Sequence, residues 1–182
     1  MAPKAQPLAI ARVLSAAFPL TLLFGPAVSD VALCVIALLF LGHCYRAKEW
    51  QWLRTCWVQF ALLFVGYLVI RNLFNPAGPG MAVYALAWLR LPLFAAALAY
   101  AVLPDPWTER WMLRALLVTT AFLALDTLWQ FMHGVDLLGH AIYITDGFPR
   151  MTGPFSGPRV GITLAWLIFP ALAWLVTLKS PP

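Results

Sequence analysis

Two arginines in the longest polar segment of this apolar sequence are its best candidates for binding an anion. Arg150 and Arg159 lie in the segment 132–159, which also contains Gly153 and Gly157. A guanidinium binds phosphate oxygens in a two-pronged geometry. Glycines permit turns whose N–H groups form anion nests. The segment therefore predicts a phosphate or diphosphate site, and the alternative is a plain surface loop whose arginines contact lipid headgroups.

A second set of polar residues lies inside apolar runs. Arg90 falls within the run 81–103, where a charge near the bilayer centre costs at least about 2.5–3.5 kcal/mol and needs a partner. Asp126 is the predicted partner, since the expected depths of the two residues differ by only about 6 Å. Arg90 is then either a further anion ligand or half of a structural ion pair. Asp126, Gln130 and His133 recur at helical spacing, which predicts a polar stripe that packs inward or lines a wet cavity.

Histidines and carboxylates in the same segment could act as bases or metal ligands. His133 and His140 lie close in sequence to Asp136 and Asp146. Their spacing fits no strong metal-ligand pattern, so we predict no metal site. The sequence also has no P-loop, dinucleotide fingerprint, zinc-protease motif or nucleophile elbow, and we expect no cofactor.

The amino-acid composition indicates whether these residues are surrounded by water or by lipid. Of 182 residues, 63% are hydrophobic and only 10% are charged, against about 25% charged in a typical soluble chain. This deficit excludes a disordered chain, a water-soluble globule and a protein whose main partner is nucleic acid. The expected surroundings are membrane lipids.

Six apolar runs are long enough to cross or nearly cross a bilayer, which takes about 20 residues as a helix. We predict an all-α, polytopic integral membrane bundle that forms a single membrane domain. The predicted spans are 8–24, 31–45, 55–70, 81–103, 113–131 and 160–178, and 132–159 is an external loop.

The distribution of lysine and arginine predicts the orientation. With the N-terminus in the cytoplasm, eight basic residues fall on the cytoplasmic side, three fall outside, and Arg90 lies within the membrane. Cytoplasmic loops carry the excess of positive charge. Both termini are therefore expected inside, and the loop 132–159 is expected on the periplasmic or outer face.

The segment 126–161 carries an ordered set of short motifs: an Asp-x-x-x-Gln helix end, a Gly-x-Asp turn, and Arg-x-x-Gly-x-Phe before a new apolar run. The matching residues are Asp126, Gln130, Gly134, Asp136, Arg150, Gly153 and Phe155. This segment resembles the O-antigen ligase/polymerase family. The motifs are moderately specific as a combination, and the spans before them are compatible but generic.

The resemblance implies a multi-pass glycosyltransferase of the bacterial inner membrane that works on the periplasmic face in lipopolysaccharide biosynthesis. Its donor would be a glycan on polyprenyl diphosphate, and its acceptor would be lipid A–core or a growing polysaccharide. Such a reaction needs charge stabilisation of the diphosphate. The resemblance assigns this role first to Arg150 and then to Arg159, and Arg90 is added by extrapolation.

Members of that family typically have about twice this length and about twelve spans, with an acceptor-activating histidine in the second half. The sequence therefore resembles an N-terminal half, and we expect it to need a C-terminal half for activity. Two other functions remain open. A small transporter or flippase would have internal repeats and polar residues near mid-membrane, whereas a non-catalytic scaffold would tolerate loss of Arg150 and Arg159.

Overall fold

Apolar helices make up most of the protein in a computed structural model, which describes residues 6–74, 80–145, 147–155 and 157–179. The predicted all-α class is confirmed. The helices are α1 (Gln6–Thr21), α2 (Pro26–Ala47), α3 (Cys56–Leu73), α4 (Gly80–Ala87), α5 (Arg90–Ala97), α6 (Pro106–His133) and α7 (Val160–Lys179).

Within the described part of the chain, four helical stretches are long and apolar enough to cross a membrane: Pro26–Ala47, Cys56–Leu73, Gly80–Val102 and Pro106–His133. Two shorter apolar helices span Leu8–Phe24 and Val160–Trp174. Large apolar side chains on these helices face outward, which is the expected surface of a protein embedded in lipid. Phe60, Leu63, Trp166 and Phe169 are examples.

Proline explains why two helices begin earlier than predicted. α2 starts at Pro26, although the sequence analysis placed its first residue at 31. α6 starts at Pro106, so residues 106–112, which lie before the predicted span 113–131, are helical as well. Proline suits the first helical position, where the missing N–H would have no intrahelical acceptor.

Asp105 adds a side-chain cap to α6. Its Oδ2 accepts hydrogen bonds from the hydroxyl (2.6 Å) and the backbone N–H (3.0 Å) of Thr108. These bonds, helped by the charge of Arg12, hold the pKa of the Asp105 carboxyl below its usual value. Asp105 is therefore ionised at neutral pH and stabilises the positive end of the helix.

The span Gly80–Val102 is broken between α4 and α5. Pro92 has no N–H to bond the carbonyl of Trp88, which instead accepts the N–H of Leu91 at 3.1 Å. The break therefore falls just before Arg90, at the place where a proline is expected to interrupt a helix. A π-helical turn, Leu98–Val102, ends the span.

The residue contacts divide the chain into two compact units. The first unit comprises Met1–Ser15 and Asp30–Glu109, and the second comprises Ala16–Ser29 and Arg110–Pro182. In the first unit, α3 packs against α4.

In the second unit, an apolar core joins α6, the loop after it and α7. Its buried members are Leu116, Leu123, Phe155, Val160, Leu167 and Ala171. The loop also contains a short antiparallel hairpin, β1 (Tyr143–Thr145) and β2 (Phe148–Arg150), which the sequence analysis did not predict.

The predicted orientation can be tested with reporters fused after Thr145 and, as a control, after Arg54. Alkaline phosphatase needs an oxidising compartment for its disulfides, so we expect activity after Thr145 and none after Arg54. A cytoplasmic reporter should give the reverse pattern. If only the Arg54 fusion showed phosphatase activity, the true orientation would be the reverse of the predicted one.

Candidate functional site

Gln130 fixes the loop that follows α6. Its side chain is fully buried, and its Oε1 accepts the backbone N–H groups of Thr152 (2.9 Å) and Gly153 (3.0 Å). Its Nε2 donates to Thr152 Oγ1 (2.7 Å) and to the carbonyl of His140 (3.1 Å). Both acceptor positions and both N–H groups of the amide are thus in use, and one side chain connects two distant parts of the loop.

Asp126 anchors the same loop one turn earlier on α6. Its Oδ1 accepts the backbone N–H of Leu137 at 2.9 Å. Its Oδ2 is buried and has no hydrogen-bond partner within the described part of the chain. Asp126 and Gln130 are fully buried, whereas His133, the third member of the proposed stripe, is exposed.

The predicted pairing of Arg90 with Asp126 is wrong. Arg90 Nη2 donates to Asp30 Oδ2 at 3.0 Å, within the first unit. Asp30 was overlooked because the start of α2 was predicted after it. A helix that begins at Pro26 carries Asp30 inside its second turn, where its carboxylate can pair with the arginine. Because Asp30 compensates the charge of Arg90, this arginine is a weak candidate for binding a diphosphate.

A carboxylate and an imidazole form a pair within the loop. Asp136 Oδ2 lies 2.9 Å from His140 Nδ1, and the Asp136 side chain is fully buried while that of His140 is 40% exposed. Asp136 Oδ1 also accepts the N–H groups of Leu138 (3.0 Å) and His140 (2.6 Å). The carboxylate therefore orients the imidazole ring through Nδ1, so that any further contact of the ring is made through Nε2.

His140 lines a cavity of about 240 Å³, here called the loop cavity. Arg159 also lines this cavity, together with residues that include Gly25, Pro26 and Phe155. Ligand sites for drug-sized molecules usually measure about 300–1,000 Å³. The loop cavity is therefore suited to one charged group rather than to a whole glycan.

Arg159 directly precedes the first residue of α7 and is the N-cap residue of that helix. Its carbonyl accepts the N–H (3.1 Å) and the hydroxyl (3.0 Å) of Thr163. The loop cavity also borders Pro26, the first residue of α2. The N-terminal ends of helices carry partial positive charge, so the helix ends, Arg159 and a protonated His140 would all favour an anion.

Arg150 occupies a different position. It ends β2, is paired in register with Tyr143, and is exposed to solvent. It does not line the loop cavity. Charges at exposed positions are screened by salt, so Arg150 is the weaker of the two loop arginines as a direct ligand.

The predicted anion nest at the loop glycines is not formed at Gly153. Its N–H is already bonded to Gln130. Its φ is +55°, and a Cβ added at this position would lie only 2.8 Å from Val160 Cγ2, so glycine is needed for packing. Gly157 has open space around its Cα and no left-handed φ.

His133 is held by stacking rather than by the polar network. Its ring lies 3.9 Å from that of Trp129, and its Nδ1 is 3.1 Å from the Trp129 carbonyl. Asp146 lies outside the described residues. Among those that are described, no group of three or more His, Cys, Asp or Glu side chains could hold a metal ion.

Sequence reasoning noted Asp136 and His140 but did not pair them, and it missed Thr152. A four-residue separation outside a helix carries no geometric signal by itself. Two glycines could have indicated the pairing: Gly134, before Asp136, and Gly139, between Asp136 and His140, have φ values of 79° and 90° and turn the chain back on itself.

Comparisons with protein-family models, with curated proteins and with solved structures find no match to this chain.

Proposed function

We propose that this protein acts in glycan transfer at the bacterial inner membrane, as a glycosyltransferase of the O-antigen ligase/polymerase type. In this proposal the loop cavity binds the diphosphate of a polyprenyl-linked glycan on the periplasmic face. The supporting observation is that Arg159 and the Asp136-held His140 line one small cavity. The motif resemblance between residues 126 and 161 supplies the substrate class.

In the proposed transfer, an acceptor hydroxyl attacks the anomeric carbon of the donor sugar. The bond from that carbon to the diphosphate oxygen breaks, and the electron pair leaves with the diphosphate. Arg159 and His140 would stabilise this growing negative charge, which favours the transition state over the bound donor. The hydroxyl proton passes to a general base other than His133 and His140.

The buried carboxylate of Asp136 has a positioning role in this scheme. It bonds His140 Nδ1 and so directs Nε2 to other partners. A doubly protonated His140 would give the loop cavity two cations, together with Arg159, to present to a diphosphate.

Replacing Arg159 with alanine should weaken binding of a polyprenyl-diphosphate donor between about tenfold and a hundredfold. Hydrogen bonds to charged groups contribute about 1.5–3 kcal/mol, and each 1.4 kcal/mol is a factor of ten. The measurement is the dissociation constant of the donor for the purified protein in an uncharged detergent.

Two arginine variants serve as controls for that measurement. Arg110→Ala removes an exposed arginine of α6 and should leave donor affinity unchanged. Arg150→Ala should have a smaller effect than Arg159→Ala. Loss of binding in Arg150→Ala with full binding in Arg159→Ala would move the site to the hairpin and contradict the proposal.

The broken span favours a second candidate, a small transporter or flippase. Transporters often bind their substrates where a membrane helix is interrupted, and here the break directly precedes Arg90, which pairs with Asp30 at 3.0 Å. Such a protein would move a lipid or solute in proteoliposomes without an acceptor glycan. Transport that depends on Arg90 and not on Arg159 would favour this candidate over the glycosyltransferase.

A further inference from the structure

The first unit contains a separate cavity of about 430 Å³ that the proposed glycan chemistry does not use. Its lining residues include Arg12, His43, Glu49, Trp52 and Tyr100. We call it the basic-loop cavity, because it borders the basic stretch 46–54, which runs from the last turn of α2 into the loop before α3. Its volume is within the range of small-molecule sites.

Trp52 carries an unused hydrogen-bond donor at this cavity. The residue is only 5% exposed, and its ring packs against that of Phe40 with the centroids 5.3 Å apart. Its Nε1 lies beside the Cys44 thiol, a weak acceptor, and has no oxygen or nitrogen acceptor among the described residues. A buried N–H that faces only a thiol is poorly satisfied, so an oxygen acceptor that enters the cavity would be favoured.

Arg12 supplies positive charge and still has N–H groups available to an additional acceptor. Its Nε donates to the Ala101 carbonyl at 3.4 Å, and its Nη1 lies 3.6 Å from Asp105 Oδ1. Both contacts are long, and Asp105 is mainly engaged in capping α6 through its other oxygen. A guanidinium has five N–H groups, so Arg12 can still bind an anionic oxygen.

The other charges around the cavity set the sign of its potential. His43 Nε2 lies 3.8 Å from Glu49 Oε2, and the Glu49 side chain is 71% exposed. Arg46, Lys48 and Arg54 are exposed on the same loop. Asp105, beside Arg12, adds a second carboxylate, but the four basic residues still leave the surroundings positive on balance, and Glu49 can accept a hydrogen bond from a headgroup hydroxyl.

Aromatic side chains indicate the depth of the cavity in the membrane. Tyr45 and Trp50 are exposed beside it, and tryptophan and tyrosine favour the headgroup level. α2 ends at Ala47, and the π-helical turn Leu98–Val102 ends at the same cavity. Two spans thus finish beside it, where phospholipid headgroups lie.

From these contacts we propose that the basic-loop cavity binds the headgroup of an anionic phospholipid. The phosphate bonds to Arg12 and to the Trp52 N–H, and a headgroup hydroxyl bonds to Glu49. Basic pockets between membrane helices on the cytoplasmic side bind acidic lipid headgroups by this chemistry. The site is independent of the loop cavity and of the glycan proposal.

The first test uses the unaltered protein in an uncharged detergent and isothermal titration calorimetry. Dioctanoyl phosphatidylglycerol should bind saturably, and dioctanoyl phosphatidylcholine should bind at least about tenfold more weakly, since it lacks net charge. Equal binding of the two lipids would overturn the proposal. Inorganic phosphate that displaces phosphatidylglycerol at equal concentration would also overturn it, because the site would then be one for free phosphate.

Variants then locate the site. Trp52→Phe keeps an aromatic ring but removes the N–H, and Arg12→Lys keeps the charge but removes the two-pronged donor. Each should weaken phosphatidylglycerol binding about three- to tenfold. Trp57→Phe, at an exposed position in the first turn of α3, is the matched control and should bind like the parent. Unchanged binding in both cavity variants would place the lipid elsewhere and contradict the proposal.

Discussion

Replacing Gln130 with alanine should lower the free energy of unfolding by about 3–5 kcal/mol and release the loop from α6. The side chain makes four hydrogen bonds, two of them to the backbone N–H groups of Thr152 and Gly153. Without it these buried groups have no acceptor, and each such group costs about 1–3 kcal/mol.

Thermal unfolding in detergent measures the stability change, and limited proteolysis between residues 134 and 155 measures release of the loop. Gln130→Glu keeps both acceptor bonds and should be intermediate. Gln59→Ala removes an exposed glutamine from α3 and serves as the control. A Gln130→Ala protein that unfolds at the parent temperature, with a protected loop, would refute the anchoring role.

Replacing Gly153 with alanine should cost about 2–4 kcal/mol, because two unfavourable effects add. The left-handed φ of +55° disfavours any side chain, and the new Cβ would lie 2.8 Å from Val160 Cγ2. Val160 is itself buried in the apolar core of the second unit, so it has little room to move. Pro154 and Phe155 line the loop cavity, and donor binding should weaken as well.

Gly157 provides the matched comparison four residues away. An added Cβ there meets no atom within 4 Å, and its φ is not left-handed. Gly157→Ala should therefore change the unfolding midpoint very little. Equal destabilisation by the two substitutions would mean that loop flexibility, and not the contact with Val160, explains the effect.

Composition and hydropathy were sufficient to predict the helical class, because a bilayer imposes a minimum length of apolar helix. The predicted ends of the helices were less accurate where a helix extends beyond its apolar residues. Asp105 and Pro106 form a start signal for α6 that lies before its hydrophobic run. Cap residues are polar, so a hydropathy pattern does not detect them.

The sequence predicted which residues belong to the candidate site but not which of them contact each other. Arg159, Gln130 and Asp126 were identified from residue type and spacing. Arg90 was paired with Asp126 because the two residues were expected at similar depths in the membrane. Similar depth does not determine which helices are neighbours. Asp30, the actual partner, satisfies the same depth argument once α2 begins at Pro26.

The second unit draws on two remote stretches of sequence, and this constrains the order in which it can be assembled. Leu22 and Leu23 pack on a core formed by residues such as Leu116 and Val160. The ribosome makes the N-terminal stretch first, so these leucines enter the bilayer long before their neighbours exist. The first unit can complete its contacts once Glu109 is synthesised. The loop cavity, which needs Gly25 as well as Arg159, is therefore among the last features to form.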